Sequence, residues 1–210
     1  MNETQDRGTE AELDEKSVDR DPIELFRRWF DDAMASGSRL PDAMTLATAT
    51  KDGKPSARMV LLKQVDDQGF VFYTNYNSNK ARELDENPQA ALVVYWVQLD
   101  RQVRVEGKVE RISAAESDQY FRTRPRESQL GALASPQSEV IESRDVLEQR
   151  YAELDEFYRD RSIERPAHWG GYRLKPERIE FWQNRESRLH DRILYERQSD
   201  GSWSIKRLAP

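Results

Sequence analysis

Three cations, Arg58, Lys63 and Lys80, stand in a stretch, Ser56–Lys80, that is otherwise apolar or turn-forming. After a break at Asn75–Asn77, Ser78 is placed to cap a helix that runs through Ala81 and Leu84 to Asn87, ahead of Pro88. A helix N-terminus leaves orphan N–H groups, so Lys80 beside one, with Arg58 and Lys63 upstream, suits a phosphate group. The competing reading is that strand-borne arginine and lysine snorkel to solvent or pair with acids. Period-2 alternation also sends Arg58 and Lys63 to opposite faces. A shared ligand then requires a bulge; otherwise the two have separate tasks.

Three further clusters hold chemistry-bearing residues. Tyr120, Arg124 and Ser128 recur at intervals of four in YFRTRPRES. Helical order continued through Pro125 would gather two hydroxyls and a guanidinium on one face, a grip for phosphate; an exposed, charge-rich helix end accounts for the same residues. Ser135-Pro136-Gln137-Ser138 is a polar loop able to hydrogen-bond a ring, but composition alone favours a surface crossing. From Phe181 to Arg192, three arginines and His190 follow an aromatic pair. Arg188 and His190 alternate onto one face if the chain is extended, and Trp182 offers a flat apolar wall. Beside arginines the imidazole is expected to hydrogen-bond rather than act as an acid, and here function outweighs a purely structural role.

Absences narrow the chemistry. No GxGxxG follows a strand, and GxxxxGK[ST], GxSxG and HExxH are missing, so a nucleotide cofactor is held by something other than the common dinucleotide fold. There is no cysteine, and His168 and His190 are the only histidines, which excludes disulfides, thiolate catalysis, Cys–Zn sites and a histidine-rich metal cluster. With 33 basic against 39 acidic residues the net charge is −6, the wrong balance for a general nucleic-acid binder. No run is long and apolar enough for a membrane helix, and no signal-like h-region follows the start, so the expected setting is soluble, unexported and cytoplasmic.

The elements that must position these residues are short strands with helical additions. Residues 1–20 are polar and acidic and read as a disordered tail; 21–210 read as one domain. Asp21-Pro22-Ile23-Glu24 opens a helix whose stripe, Phe26, Trp29, Phe30 and Ala33, is core packing, and Gly37 ends it. Strands follow at Ala43–Thr50 and Pro55–Val65, turning at Lys51–Lys54, then Phe70–Thr74 after the Asp66–Gly69 turn. Ala90–Val97 is continuously apolar, as for a strand buried on both faces; Arg101–Ile112 alternates, with Gly107 marking a bend. Helices are expected from Ser113 to Pro125, over Glu127–Ala134 and over Ser143–Arg161. Strands resume at Trp169, at Ile179–Gln183 and at Arg192–Arg197, and a Ser199–Ser202 turn leads into Trp203–Leu208. The class is mainly β with added helices, an antiparallel barrel or sandwich.

The motifs RMVLLK (Arg58–Lys63), VFYTN (Val71–Asn75), RQVRVEG (Arg101–Gly107), YFRTRPRESQ (Tyr120–Gln129), SPQS (Ser135–Ser138), WGGYR (Trp169–Arg173), FWQ…RLHDR (Phe181–Arg192) and the terminal RLAP stand in one order. Over Pro22–Pro210 the chain thereby resembles the pyridoxine (pyridoxamine) 5′-phosphate oxidases, homodimeric FMN enzymes with an antiparallel split β-barrel. The resemblance implies oxidation of a phosphorylated B6 vitamer by O2 to pyridoxal 5′-phosphate and hydrogen peroxide, hydride passing from substrate C4′ to flavin N5. It assigns FMN to Arg58, Met59, Val60, Leu61, Leu62, Lys63, Tyr73, Thr74, Lys80, Gln102, Gln137, Ser138, Trp182 and Arg192. It assigns the substrate phosphate to Lys63, Tyr120, Arg124 and Ser128, and the pyridine side of the pocket to Arg188 and His190, the catalytic pair. Two subunits contribute to each site in that family, which relieves the alternation problem at Arg58 and Lys63. Asn79 stands in the FMN-binding run where the family usually has arginine, implying looser FMN binding unless Arg82 or another cation substitutes. Residues 1–20 show no match to the segment that closes over substrate in some members. The alternatives are a split-barrel oxidase of another aromatic, of the phenazine-biosynthesis type, and a non-catalytic carrier of flavin or vitamer.

Overall fold

The computed structural model describes residues 13–210; the expected tail over residues 1–12 lies outside the described residues. Two compact units result. The first comprises residues up to Pro41 with Tyr95–Arg104 and Arg178–Pro210; the second comprises Asp42–Val94 and Val105–Glu177.

In the first unit, α1 (Pro22–Ala35) begins as its cap chemistry dictates: the Asp21 carboxylate accepts the Ile23 N–H at 2.8 Å and proline opens the helix. Its stripe is buried, with Phe26 5.8 Å from the Trp96 ring and Trp29 edge-on to Phe181 at 5.2 Å. Upstream, residues 13–20 are docked rather than free. Leu13 is buried, Arg207 donates to the Leu13 carbonyl at 2.9 Å and meets Glu15 at 2.7 Å, and Tyr195 donates to the Asp19 carbonyl at 2.7 Å. The C-terminal end of β7 (Trp169–Gln183) pairs antiparallel with β8 (Asp191–Arg197), which pairs with β9 (Trp203–Arg207). The turn before β9 carries Gly201 at φ 86°.

The second unit holds the greater part of a sheet in the order β2-β1-β5-β6-β7-β4-β3, with β1 (Ala43–Ala49), β2 (Pro55–Leu61), β3 (Gln64–Asp66), β4 (Gly69–Asn75), β5 (Gln89–Trp96) and β6 (Arg101–Arg111). The β1–β2, β1–β5, β3–β4 and β4–β7 pairings are antiparallel. Four helices accompany it: α2 (Asn79–Glu86), α3 (Ala114–Thr123), α4 (Arg126–Ala134) and α5 (Arg144–Phe157). The antiparallel barrel-type class expected from the strand pattern is what forms.

Several expectations change in detail. Pro55–Val65 is not one strand: β2 stops at Leu61, the Leu62 N–H donates to the Asp42 carbonyl (2.8 Å), and the Lys63 N–H donates to the Val71 carbonyl (2.9 Å). The chain exchanges one strand partner for another there, and this corner breaks the period-2 alternation that set Arg58 against Lys63. Strand β5 is not buried on both faces; Leu92, Val94 and Trp96 are buried while Tyr95 is 53% exposed. The strands expected separately at Trp169 and Ile179 are one continuous β7, and α5 ends at Phe157, short of Arg161.

Gly107, expected at a bend, has a packing role. It lies inside β6 because the backbone of β7 passes over it: a Cβ there would sit 2.1 Å from the Lys175 carbonyl oxygen. Gly107→Ala is therefore expected to destabilise the protein by about 1–3 kcal/mol, read as a fall of several degrees in Tm; an unchanged Tm would contradict the close approach.

Candidate active site

The second unit holds a cavity of about 510 Å³ lined by Lys63, Tyr73, Thr74, Tyr120, Arg124 and Ser128, together with Gln137 and Trp169. Lys63 enters it directly after the corner that ends β2, and its ammonium lies 2.7 Å from the Asp42 carboxylate. Helix α3 is fixed by a reciprocal Ser113–Glu116 capping box and stops at Thr123. Arg124 is extended (φ −72°, ψ 144°), and Pro125 precedes α4. Helical order does not run through Pro125; a bent α3–α4 corner, rather than one continuous face, gathers Tyr120, Arg124 and Ser128.

Among the described residues no carboxylate pairs with Arg124. Its guanidinium carbon lies 4.6 Å from the centre of the Trp169 ring, and its buried Nη1 has no hydrogen-bond partner. Burial pulls its pKa below the usual guanidinium value. Tyr73 stacks on Tyr120 at 3.9 Å and on Trp169 at 5.3 Å. Burial, then Tyr120 and Glu116, push the Tyr73 hydroxyl up to about 12, so it stays protonated at neutral pH. A half-buried guanidinium whose buried Nη1 lacks a partner, beside two hydroxyls and an ammonium that Asp42 holds, is a donor-rich set suited to a phosphate ester.

A second cationic position lies at the start of α2. Lys80 is 9% exposed, and its ammonium donates to Gln137 Oε1 (2.9 Å), Thr74 Oγ1 (3.2 Å) and Ser78 Oγ (3.3 Å), all neutral oxygens. Burial first, then the nearby Arg58 charge, pull its pKa from 10.5 to about 8, with Glu83 opposing. Ser78 stands at the N-cap as expected, yet its hydroxyl serves Lys80 and makes no capping bond to the backbone. The Ser135–Ser138 loop does more than cross the surface. Gln137 accepts from Thr74 (3.0 Å) as well as Lys80, and Ser138, at φ 74°, accepts the Asn79 N–H at 3.3 Å. The Asn79 side-chain oxygen accepts from Arg82. A buried ammonium held, among the described residues, by neutral oxygens at a helix N-terminus fits the phosphate of a flavin mononucleotide.

Arg58 is held beside this group by partners that the sequence did not single out. It donates to Thr48 Oγ1 and Ser56 Oγ, both at 2.5 Å, and pairs with Glu83 at 3.2 Å. Ser56 and Thr48 also donate to Glu83. Burial raises the Glu83 pKa, but these hydrogen bonds and Arg58 outweigh it and hold the carboxyl below 4.5. The one available signal was an acid three residues after Lys80 on the same helix. Of the remaining RMVLLK residues, Leu62 is buried, Val60 is half-buried, and Met59 and Leu61 are 62% and 39% exposed.

A carboxylate with a depressed folded pKa stabilises the fold above its unfolded value and loses that contribution as pH falls through the folded one. Glu83→Gln is thus expected to lower stability near pH 7 by about 1–3 kcal/mol, with the gap to wild type closing in acid. Thermal melts of both proteins from pH 7 to pH 3 check this, and a gap independent of pH would refute it.

The other expected residues belong to the first unit. Trp182 and His190 pack with ring centres 4.7 Å apart. The Arg185 backbone N–H donates to His190 Nδ1 at 3.1 Å; an N–H can only donate, so Nδ1 carries the lone pair and Nε2 the proton. Arg188 and His190 do not alternate along an extended segment. Ser187 (φ 57°) and Arg188 (φ 61°) are left-handed in a short turn over Glu186–Arg188, and Arg188 projects into solvent. Asp191, which the sequence did not single out, anchors this loop by accepting from Arg185 Nε (2.6 Å) and Arg207 Nη1 (2.8 Å). Arg192 pairs with buried Glu180 at 2.8 Å and donates to the Ala209 carbonyl at 2.7 Å; Gln102 is half-buried on β6. Among the described residues no group of His, Asp and Glu is arranged to hold a metal, and no helix is long and apolar enough to cross a membrane.

Comparison with known proteins places these features. Residues 30–158 match the family model described as pyridoxamine 5′-phosphate oxidase, and residues 169–210 match the pyridoxine 5′-phosphate oxidase C-terminal dimerisation region. A pyridoxine/pyridoxamine 5′-phosphate oxidase of Trichormus variabilis is 58% identical over 198 residues, 94% of this chain and 92% of the relative. Among solved structures, PhzG from Burkholderia lata, in complex with tetrahydrophenazine-1-carboxylic acid, superposes with a TM-score of 0.91 at 33% identity, over 96% of this chain and 98% of that one. A pyridoxamine 5′-phosphate oxidase-related, FMN-binding protein from Nostoc punctiforme shares the fold, with a TM-score of 0.72 at 18% identity over 92% of this chain and all of that one.

Proposed function

Because the chain belongs to the pyridoxamine 5′-phosphate oxidase family, we propose that it binds FMN and oxidises pyridoxine 5′-phosphate or pyridoxamine 5′-phosphate to pyridoxal 5′-phosphate. FMN, when bound, supplies the two-electron oxidation, and O2 is the final acceptor, giving hydrogen peroxide; with the amine substrate water supplies the aldehyde oxygen and ammonia leaves. Everything else is orientation and charge, which the chain supplies. Lys80, with Arg58 beside it, holds the flavin phosphate; Thr74, Gln137 and Ser138 fix that end, and Gln102, Trp182 and Arg192 serve the ring. The substrate phosphate takes the unpaired Arg124 donor, the Tyr120 and Ser128 hydroxyls and Lys63, which then leaves Asp42. Arg188 and His190 orient the pyridine, His190 presenting an Nε2–H.

The observation that carries this reading is Arg124: a half-buried guanidinium in a cavity lined by hydroxyls and an ammonium, its buried Nη1 without a partner and no carboxylate paired with it among the described residues. The dimerisation-region match supports a homodimer with shared active sites. Apolar side chains left uncovered, Met59 and Leu61 in the second unit and Tyr95, Val97 and Leu189 in the first, support it too. A chain without cysteine, in a family acting on a metabolite, suits the cytoplasm.

The likeness to PhzG gives a second reading, oxidation of a reduced phenazine acid. Oxygen uptake by FMN-loaded protein separates the two. Turnover of the phosphorylated vitamers, with little on pyridoxine, supports the proposal. Turnover of tetrahydrophenazine-1-carboxylic acid alone supports the second reading, and vitamer binding with no oxygen uptake leaves a carrier.

A further inference from the structure

Among the described arginines, Arg58, Arg101, Arg165, Arg173, Arg192 and Arg207 each reach a carboxylate. Arg124 reaches aromatic faces instead, with Trp169 at 4.6 Å and Phe121 at 5.7 Å. We propose that Trp169 is a positioning residue for Arg124: its indole face holds the guanidinium in the cavity, clear of carboxylates, and so sets the preference for phosphorylated over unphosphorylated ligands. This deepens the proposed function and rests on it.

The geometry is specific to that task. Trp169 opens β7 and is 7% exposed, so its ring has little freedom. Phe121 meets it edge-on at 5.2 Å and Tyr73 stacks on it at 5.3 Å. Its backbone is pinned as well: its N–H donates to the Pro166 carbonyl at 3.0 Å, and its own carbonyl accepts from Arg165 at 2.5 Å. Arg165 is fixed in turn by Asp118 at 2.6 Å. The Trp169 ring faces both the 510 Å³ cavity and an adjoining one of about 250 Å³ that Arg124 also lines.

A guanidinium is weakly hydrated and stacks well on an aromatic face, which engages its plane and leaves its in-plane N–H groups free. A carboxylate in the same place would hold Arg124 equally still, but an incoming phosphate would have to displace it. The indole preorganises the cation without competing for it. Tyr120 shares the arrangement, lying nearly parallel to Trp169 with ring centres 6.2 Å apart.

The test is a double-mutant cycle on the FMN-loaded enzyme, reading equilibrium dissociation constants for pyridoxal 5′-phosphate and for pyridoxal. Trp169→Leu is expected to weaken the phosphorylated ligand by about 5- to 30-fold, with the kinetic loss falling on KM, while pyridoxal is unaffected. In an Arg124→Gln background the same change should add nothing, since the two residues act as one. Trp169→Phe keeps a ring and should restore most of the affinity. It carries the test alone if Trp169→Leu does not load FMN: a small loss, confined to the phosphorylated ligand and absent without Arg124, supports the proposal. Additive losses, or equal losses for the two ligands, make Trp169 a core residue only and overturn it. A wild-type enzyme with no preference for pyridoxal 5′-phosphate over pyridoxal overturns the underlying functional reading, and the wild-type measurement alone shows that.

Discussion

Replacing Arg124 with glutamine is expected to raise KM for pyridoxine 5′-phosphate by about 10²–10³-fold, with a much smaller change in kcat and almost none for unphosphorylated pyridoxine. The size follows from what the guanidinium offers. Its Nη1 is buried without a partner, so its desolvation cost is met only when an anion arrives. Hydrogen bonds between charged groups contribute about 1.5–3 kcal/mol each, and arginine makes them to phosphate in pairs. A loss of about 3–4 kcal/mol corresponds to the fold-change given, at 1.4 kcal/mol per tenfold. Glutamine keeps a polar group in the cavity and removes the charge. Steady-state kinetics with both substrates decide the matter: an equal loss for the two would mean that Arg124 serves the fold or the ring and not the phosphate.

Lys80→Met should weaken FMN by about 100-fold, the loss of one or two charge-assisted contacts, and should also remove a pH dependence. In the folded protein the ammonium titrates at about 8 against an ordinary 10.5, chiefly through burial. Between those values the unfolded chain binds more protons than the folded one, so stability rises with pH across that window. Below about pH 8 the folded state carries the full penalty of a buried charge. The FMN-free wild type is therefore expected to gain stability relative to Lys80→Met between about pH 8 and 10.5. A dianionic phosphate reverses this by favouring the charged ammonium, so FMN binding above pH 8 should take up a proton and weaken as pH rises. Flavin fluorescence titrations at pH 7 and pH 9.5 read the second effect and thermal melts without FMN read the first. A variant with wild-type FMN affinity at both pH values would remove Lys80 from the flavin site.

Most of the architecture was legible because it rests on local rules. The Asp21-Pro22 start of α1 and the Ser113–Glu116 box each encode one structure, and those structures form. The order of strands was readable from turn residues between apolar runs. What local pattern could not show was partner exchange. Nothing in the composition of Leu61–Gln64 announces that the chain leaves β1 for β4, and that corner ends the alternation from which the conflict between Arg58 and Lys63 was argued. The same limit applies to β5, where an apolar run looked buried on both faces although Tyr95 is exposed.

The candidate site divides along similar lines. Cations and hydroxyls announce themselves, so Lys80, Tyr120, Arg124 and Ser128 were all singled out. Their neutral or acidic supports were not. Glu83, Thr48 and Ser56 reach Arg58 from three different elements, and Asp191 joins residues far apart in sequence. Gln137 looked like a surface residue because composition does not record that Thr74 and Lys80 both turn towards it. The left-handed Ser187 and Arg188 were likewise invisible, since neither is a glycine.

The proposed function makes a phosphorylated pyridine, gripped at the α3–α4 corner, the substrate from which bound FMN takes electrons. Its most direct test is to mix FMN-loaded protein with pyridoxine 5′-phosphate in the absence of oxygen and follow the flavin absorbance. Prompt bleaching, reversed on admitting air with release of pyridoxal 5′-phosphate and not produced by equal pyridoxine, is the predicted result. A flavin that stays yellow with every phosphorylated vitamer, or bleaches equally with the unphosphorylated one, would contradict it.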